Sequence, residues 1–548
     1  MPRSHLLALF LLGLAVPLAI AQFQALPGYM DADYYFGGGI QLARGNGFTE
    51  PYLWNYLADP QTVPTPSHAY WMPLASIIAA AGMWLTGDST FAAARLGFIL
   101  LAALVPPLTS ILAFRITSNR ASSLISGLLA CFPIFYAPFL PVTDNYAVYM
   151  LVGISFFLLL SSLNPLNTDY RSPTTFFLLG ILSALASLAR SDGLLWLGLS
   201  FLAAIWFAEK QAHKRAGAQG EQGNPIAQPL SSNLHLASRP FFFHLSSFIL
   251  PLIIGFLLLA SPWYARNLQV FHSLMAPGGI RALWLTNYND TFAYPAAQLT
   301  FDFWLSSGWD AMLQARLDAL RINLLNAFAA QGGIFLFPFI LAGLWILRRD
   351  FRVRVAALAW ILLLVAMTIA FPFAGPRGAF YHAGAALQPM WWILAPIGLD
   401  SVVTAARLKG LFDDRAFVVF RGALVGISAL ATLAIFALRV LPGWEREDGH
   451  YASVESLLVE QGAPGEAVVI VRNPPGYNIV TGRAAIAIPT TGVSSILAVA
   501  ARYHARYLIL EPEGASGELL ELYDHPGQFP AFRYLGETDG NRLYEIIR

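Results

Sequence analysis

Two carboxylates, Asp31 and Asp33, stand just beyond the apolar run Leu6–Ala21, where a membrane-spanning segment would leave the bilayer. An acidic side chain held near lipid loses hydration, so a pair at that depth is expected to do work. The fitting chemistry is general-base catalysis, because desolvation raises a carboxylate's pKa toward the range where it can take a proton from an attacking hydroxyl. The plain alternative is helix capping, a common task for Asp at a helix start.

Other residues could join them. Asp144 lies in Pro141-Val142-Thr143-Asp144-Asn145, and Arg190 and Asp192 interrupt a long apolar stretch as ARSDG. Opposite charges two apart within such a run satisfy each other or a neighbour. Arg266 follows Pro262-Trp263-Tyr264-Ala265, where it could grip a phosphate with its fork or anchor the chain to a helix end. Arg377, in FAGPRGAFYHAGAALQP with Tyr381 and His382, is the lone basic side chain of a short loop and suggests an anionic ligand. His68 sits beside the aromatic pair Tyr70-Trp71, as a phosphate neighbour or an interfacial side chain. The chain carries no G-x-x-x-x-G-K-[ST], no Cys/His metal cluster and no nucleophile elbow. Gly37-Gly38-Gly39 follows no strand and so is not a nucleotide-phosphate loop.

The elements that must hold these residues are membrane helices. Of 548 residues, 56% are hydrophobic and 12% charged, with mean hydropathy +0.56. A net charge of +1 gives no basic surface for nucleic acid. The single cysteine, Cys131, excludes an intramolecular disulfide. Apolar runs fall near 5–22, 70–87, 91–114, 121–139, 143–162, 174–189, 193–208, 241–262, 331–347, 355–372, 383–405 and 418–440. Basic clusters at Arg115/Arg120, Lys210–Arg239, Arg348–Arg354 and Arg407–Arg421 can all face the cytoplasm only if one run fails to cross. The short, Pro-containing 70–87 is that run, expected to lie on the outer surface. This predicts about eleven spans of a multi-pass plasma-membrane protein, N-terminus inside. Outer loops then cover 23–90 and 263–330, and a polar inner linker covers 209–240. The segment 1–440 forms the membrane domain, and 441–548 a soluble α/β domain on the outer face. In that tail, 467–472 and 507–511 read as buried strands, 495–504 as a helix, and 533–547 as a hairpin turning at Asp539-Gly540. The loop 472–483 reads as a Pro/Gly turn or a substrate contact.

The series Asp31, Tyr35, Gly39, Leu42, Gly45, Gly47, Phe48 resembles the first outer loop of GT-C glycosyltransferases, polytopic enzymes that take sugars from polyprenyl-phosphate donors. The resemblance covers roughly residues 5–400, with its weight on 31–48, 64–74, 262–267 and 377–389. It is similar to the protein O-mannosyltransferase and aminoarabinose transferase branch, and it implies a helical membrane bundle. The family's opening Asp maps onto Asp31 as catalytic carboxylate, with Asp33 as its neighbour. An acidic residue at the second outer turn, here Asp144, can serve with Asp31 as ligand of a divalent cation, Mg or Mn. A donor-phosphate role is implied for His68, Arg190, Arg266, Arg377, Tyr381 and His382. The His-Pro-Pro-Leu or Glu-Lys-Pro element expected near His68 is absent, and Tyr381 is displaced from the position next to the Arg. Met1–Ala21 could pass for a cleavable signal. The resemblance instead implies a retained first helix that anchors the catalytic loop. The implied partners are membrane lipids, a polyprenyl-phosphate-linked sugar and a protein, lipid or glycan acceptor. The competing class is a transporter or flippase for a lipid-linked or anionic substrate.

Overall fold

The computed structural model describes residues 1–163, 171–222, 232–444 and 446–547. Among these, eight helices are long and apolar enough to cross a membrane: Arg3–Ala21, Phe91–Thr117, Ser172–Ala189, Ser191–Gln211, Leu245–Phe271, Phe351–Ala370, Gly375–Leu408 and Arg415–Gly443. Three more of the expected runs become shorter apolar helices, Arg120–Cys131, Tyr146–Leu160 and Phe337–Ile346. Proline shortens the first of them. Pro133 forces the chain out of α geometry, and a 3₁₀ turn, Ile134–Phe139, takes over. Of the polar linker expected over 209–240, residues 223–231 lie outside the described residues, and the flanking residues extend the helices Leu194–Gln222 and Ser232–Phe271.

The run 70–87 gives the helix Leu74–Thr86. Its 13 residues reach only about 20 Å, against a hydrocarbon core of about 30 Å. It lies against the helix Met30–Ala43, and the glycine triplet explains how closely. A Cβ added at Gly38 would fall 2.6 Å from Ser76 Oγ, and one at Gly39 2.7 Å from the Cβ of Ala79. The triplet is thus a packing surface.

The tail folds as the alternation predicts. Strands β1 (Tyr52–Leu53), β2 (Val468–Val471), β3 (Ala485–Ala487), β4 (Ala505–Leu510), β5 (Phe532–Thr538) and β6 (Asn541–Ile546) form one sheet, in the order β1-β3-β2-β4-β6-β5. The first four run parallel, and β6 pairs antiparallel with β4 and β5. Period-2 alternation sends Ile470 and Leu508 to one core, and Val469, Val471 and Ile509 to the other. Asp539 and Gly540 both have positive φ, 53° and 79°, the geometry of a tight two-residue hairpin.

One boundary differs from the expectation. The sheet borrows β1 from the first loop, and its core takes in Leu53, Tyr56 and Leu57 together with Ala282, Leu285, Ala296 and Leu299. The Tyr56 hydroxyl donates to the Ala487 carbonyl. The sheet unit therefore draws on three chain segments, because the tail alone leaves one sheet edge and one apolar face uncovered.

Candidate active site

The helix Met30–Ala43 begins after Tyr29, whose backbone is extended, so Asp31 and Asp33 both fall in the first turn, where the helix dipole favours negative charge. At about 100° per residue the two side chains point roughly 200° apart, whereas Asp31 and Tyr35 share a face. The two aspartates therefore have different surroundings, and the structure places Asp33 apart from Asp31. It is buried, and its Oδ2 accepts from Asn473 Nδ2 at 3.0 Å, beside the helix Pro474–Thr481 that stands where a Pro/Gly turn was expected. Asp33 is a docking residue for the tail, separate from the cluster around Asp31.

That cluster joins three distant segments. Thr143 Oγ1 donates to the Ala32 carbonyl at 2.8 Å, pinning the Asp144 turn to the helix that carries Asp31. Asp144 is fully buried; its Oδ2 accepts from the Tyr29 hydroxyl at 2.6 Å, and its Oδ1 from the Asn145 amide at 2.6 Å. His382 places Nε2 3.0 Å from Asp144 Oδ2 and 3.9 Å from Asp31 Oδ2. Its Nδ1 lies 3.0 Å from the Gly378 carbonyl, and its ring stacks on Tyr146 with centroids 4.1 Å apart. Both contacts fix the ring so that Nε2 faces the two carboxylates.

The carboxylates have different surroundings. Asp144 has its ionised form satisfied by donors on both oxygens. Asp31 keeps 31% of its side-chain surface open. Loss of hydration, then the nearby negative charge of Asp144, pushes its carboxyl up to about 6, against opposing pulls from His382 and Arg190. It is the accessible member of the pair.

Side-chain atoms of Asp31, Asp144 and His382 all lie within 4.8 Å of one another. Two carboxylate oxygens and one imidazole nitrogen, with the far ring nitrogen held by a backbone carbonyl, are a donor set that fits a divalent cation.

The expected phosphate-binding residues divide. Arg377 is exposed, makes no ion pair among the described residues, and lies over the Tyr288 ring at 4.3 Å from its centroid. Tyr288 feels the charges of Asp31, Arg377 and Arg472, so one mouth gathers them. Tyr381 stacks on Tyr136 with centroids 4.2 Å apart, and its buried hydroxyl has no hydrogen-bond partner among the described residues. Arg190 forks onto Asp192 at 2.8 and 3.1 Å, and its second reach goes to the Ala379 carbonyl at 3.4 Å. It braces the Arg377 turn and lends Asp31 its field, but its fork is occupied.

Arg266 takes the anchoring one of its two expected roles, and His68 lies beside it, away from the Asp31 cluster. Arg266 donates to the carbonyls of Ser67, at 2.8 Å, and Phe48, at 3.4 Å, and packs among the rings of Phe48, Trp263 and Phe271. His68 is fully buried, its Nδ1 2.7 Å from Ser67 Oγ and its Nε2 3.1 Å from Ser76 Oγ. Burial, aided by the Arg266 charge, lowers it to about 3, so the ring is neutral. Both residues hold the first loop together. Sequence reasoning missed Tyr29, Tyr146 and Tyr288. No motif marks them, and only their partners do.

No protein-family model and no curated protein sequence matches the chain. Solved structures do. The archaeal oligosaccharyltransferase AglB from Archaeoglobus fulgidus, in complex with an inhibitory peptide and a dolichol-phosphate, superposes with a TM-score of 0.52 at 12% identity, over 95% of this chain and 70% of that one. The same enzyme in complex with Zn and sulfate gives 0.51 at 12% identity, over 97% and 72%. ArnT from Cupriavidus metallidurans, bound to undecaprenyl phosphate, gives 0.54 at 11% identity, over 99% of this chain and 98% of that one.

Proposed function

From a chain with the fold of GT-C membrane glycosyltransferases, we propose an enzyme that moves a sugar from a polyprenyl-phosphate donor to an acceptor hydroxyl on the extracytoplasmic face. The observation that carries this reading is the Asp31 carboxylate, part open and raised to about 6, facing the fixed Asp144–His382 pair. Asp31 takes the acceptor proton as the oxygen attacks the anomeric carbon. The new C–O bond forms while the bond from that carbon to the phosphate oxygen breaks, so configuration inverts and polyprenyl phosphate leaves. Arg377, exposed at the same mouth as Tyr288, pairs with the departing phosphate charge. A divalent cation bound by Asp31, Asp144 and His382 would supply further positive charge next to the phosphate. The neighbours support the donor class, since AglB and ArnT are seen with dolichol-phosphate and undecaprenyl phosphate.

The test is transfer of labelled sugar from a panel of polyprenyl-phosphate sugars by purified protein in lipid nanodiscs. Turnover with at least one donor, lost in Asp31→Asn by ~10²–10⁴-fold, is the expected result. Donor translocation without any turnover would instead identify a flippase.

A further inference from the structure

A second built site lies in the same outer region. The short ladder Thr49–Glu50 with Thr65–Pro66 folds the first loop back on itself, and the chain at Phe271–Pro277 closes over it. Between them is a cavity of about 460 Å³, within the ~300–1,000 Å³ common for small-molecule sites. Glu50 lines it while only 4% exposed. It takes the Tyr34 hydroxyl as a donor, and its Oε2 has no hydrogen-bond partner among the described residues. A buried oxygen without a partner costs free energy unless something arrives to bind it.

The rest of the lining says what. Trp54, held flat against Trp71 at a centroid distance of 4.0 Å, and Tyr70 are aromatic walls, while Asn55 and Thr65 add amide and hydroxyl groups. His272 and Asp59 also line the cavity, and the Asp59 charge is paired with Arg502 at 3.0 Å. Rigid rings beside neutral hydrogen-bonding groups suit a ligand with an apolar C–H face and a rim of hydroxyls. Loss of hydration raises the Glu50 carboxyl to about 8, so at neutral pH it is mostly a carboxylic acid that both donates and accepts. This matches a neutral ligand better than a cation.

We propose that this cavity is a saccharide-binding subsite distinct from the Asp31 cluster, with Glu50 as its hydrogen-bonding residue and Trp54 and Tyr70 as its stacking walls. The inference does not rest on the transfer reaction, and it stands or falls separately from Asp31. If a transfer reaction runs at Asp31, the subsite would hold the glycan part of an acceptor or donor.

The experiment is saturation-transfer NMR on the full chain in nanodiscs free of glycoside detergents, with methyl α-D-mannopyranoside and methyl β-D-glucopyranoside as probes. The wild type should transfer saturation to the C–H protons of at least one glycoside. Glu50→Gln keeps a neutral donor and acceptor and should retain that signal within about threefold. Glu50→Leu removes the polar group, and Ala58→Trp fills the cavity from a half-exposed position; each should cut the signal at least fivefold with the melting temperature kept. Asp31→Asn should leave it unchanged. No transfer to either glycoside in the wild type, or equal signals in wild type, Glu50→Leu and Ala58→Trp, overturns the proposal. Loss in Glu50→Gln, with methylammonium bound by the wild type, overturns it in favour of a cation site.

Discussion

The pH dependence of transfer probes Asp31 most directly. Its carboxyl titrates near 6, so about half is ionised at pH 6 and about one-tenth at pH 5. If the ionised form is the base, the rate should fall about tenfold from the pH 7 plateau to pH 5, with a slope of one on the acid limb. The neighbours provide the control, because their contributions have opposite signs. The Asp144 charge raises Asp31, so Asp144→Asn should move the midpoint of the limb down; the His382 charge lowers it, so His382→Gln should move the midpoint up. These midpoints belong to the coupled group. Stability gives a second reading of the same group. A carboxyl raised from 3.8 to about 6 binds its proton more tightly folded than unfolded, so protonation favours the fold. Its contribution is present below about 4 and is lost as pH rises through about 6. Asp31→Asn should therefore raise the melting temperature relative to wild type at pH 7 and do so much less at pH 4. The assay is initial transfer rate against pH in nanodiscs, with melting followed on the same samples. A rate flat from pH 5 to 7, midpoints that do not move in opposite directions, or full turnover by Asp31→Asn would refute the base assignment.

Arg377→Ala should weaken donor binding, and Arg377→Lys should restore little, since a point charge cannot reproduce a bidentate fork; unchanged donor affinity would remove it from the site. Chelation followed by Mn²⁺ or Mg²⁺ titration should restore activity in the wild type but not in Asp144→Asn, and activity indifferent to chelator would leave the three side chains a hydrogen-bonded cluster. Asp33→Ala, which removes the carboxylate that accepts from Asn473 Nδ2, should destabilise the protein by ~1–3 kcal/mol while the turnover of the folded fraction stays near wild type, read by melting and specific activity. In a Cys131→Ser background, Thr62→Cys and Glu513→Cys should react with an impermeant thiol reagent added outside, and Arg349→Cys and Lys409→Cys should not; the reverse pattern would invert the topology.

What the sequence conveys is what depends on local pattern. The strands around 470 and 508, and the Asp539-Gly540 hairpin, follow from period-2 alternation and from a turn that needs two positive φ values. The membrane helices follow from composition. What it hides depends on partners far along the chain. Arg266 reads as a phosphate fork until Phe48 and Ser67 occupy it, 218 and 199 residues away. His68 reads as an interfacial cation until burial between two serines leaves it neutral. The strand at Tyr52–Leu53 is too short to carry a periodic signal, and only the exposed edge of a distant sheet calls for it.

The two aspartates show how one turn of helix can serve two purposes. Their spacing in sequence suggests a catalytic pair, but a helix sends residues two apart to nearly opposite sides. Asp31 faces Asp144 and His382; Asp33 faces Asn473 of the tail. The same short segment, Tyr29 to Asp33, thus touches the site through the Tyr29 hydroxyl and the Asp31 carboxylate, and touches the C-terminal tail through Asp33. Arg472, one residue before Asn473, reaches Tyr288 at the mouth by its charge. The Asn473–Asp33 hydrogen bond ties the helix Pro474–Thr481 to the turn that carries Asp31, so one helix start packs against the tail on one side and against Asp144 and His382 on the other.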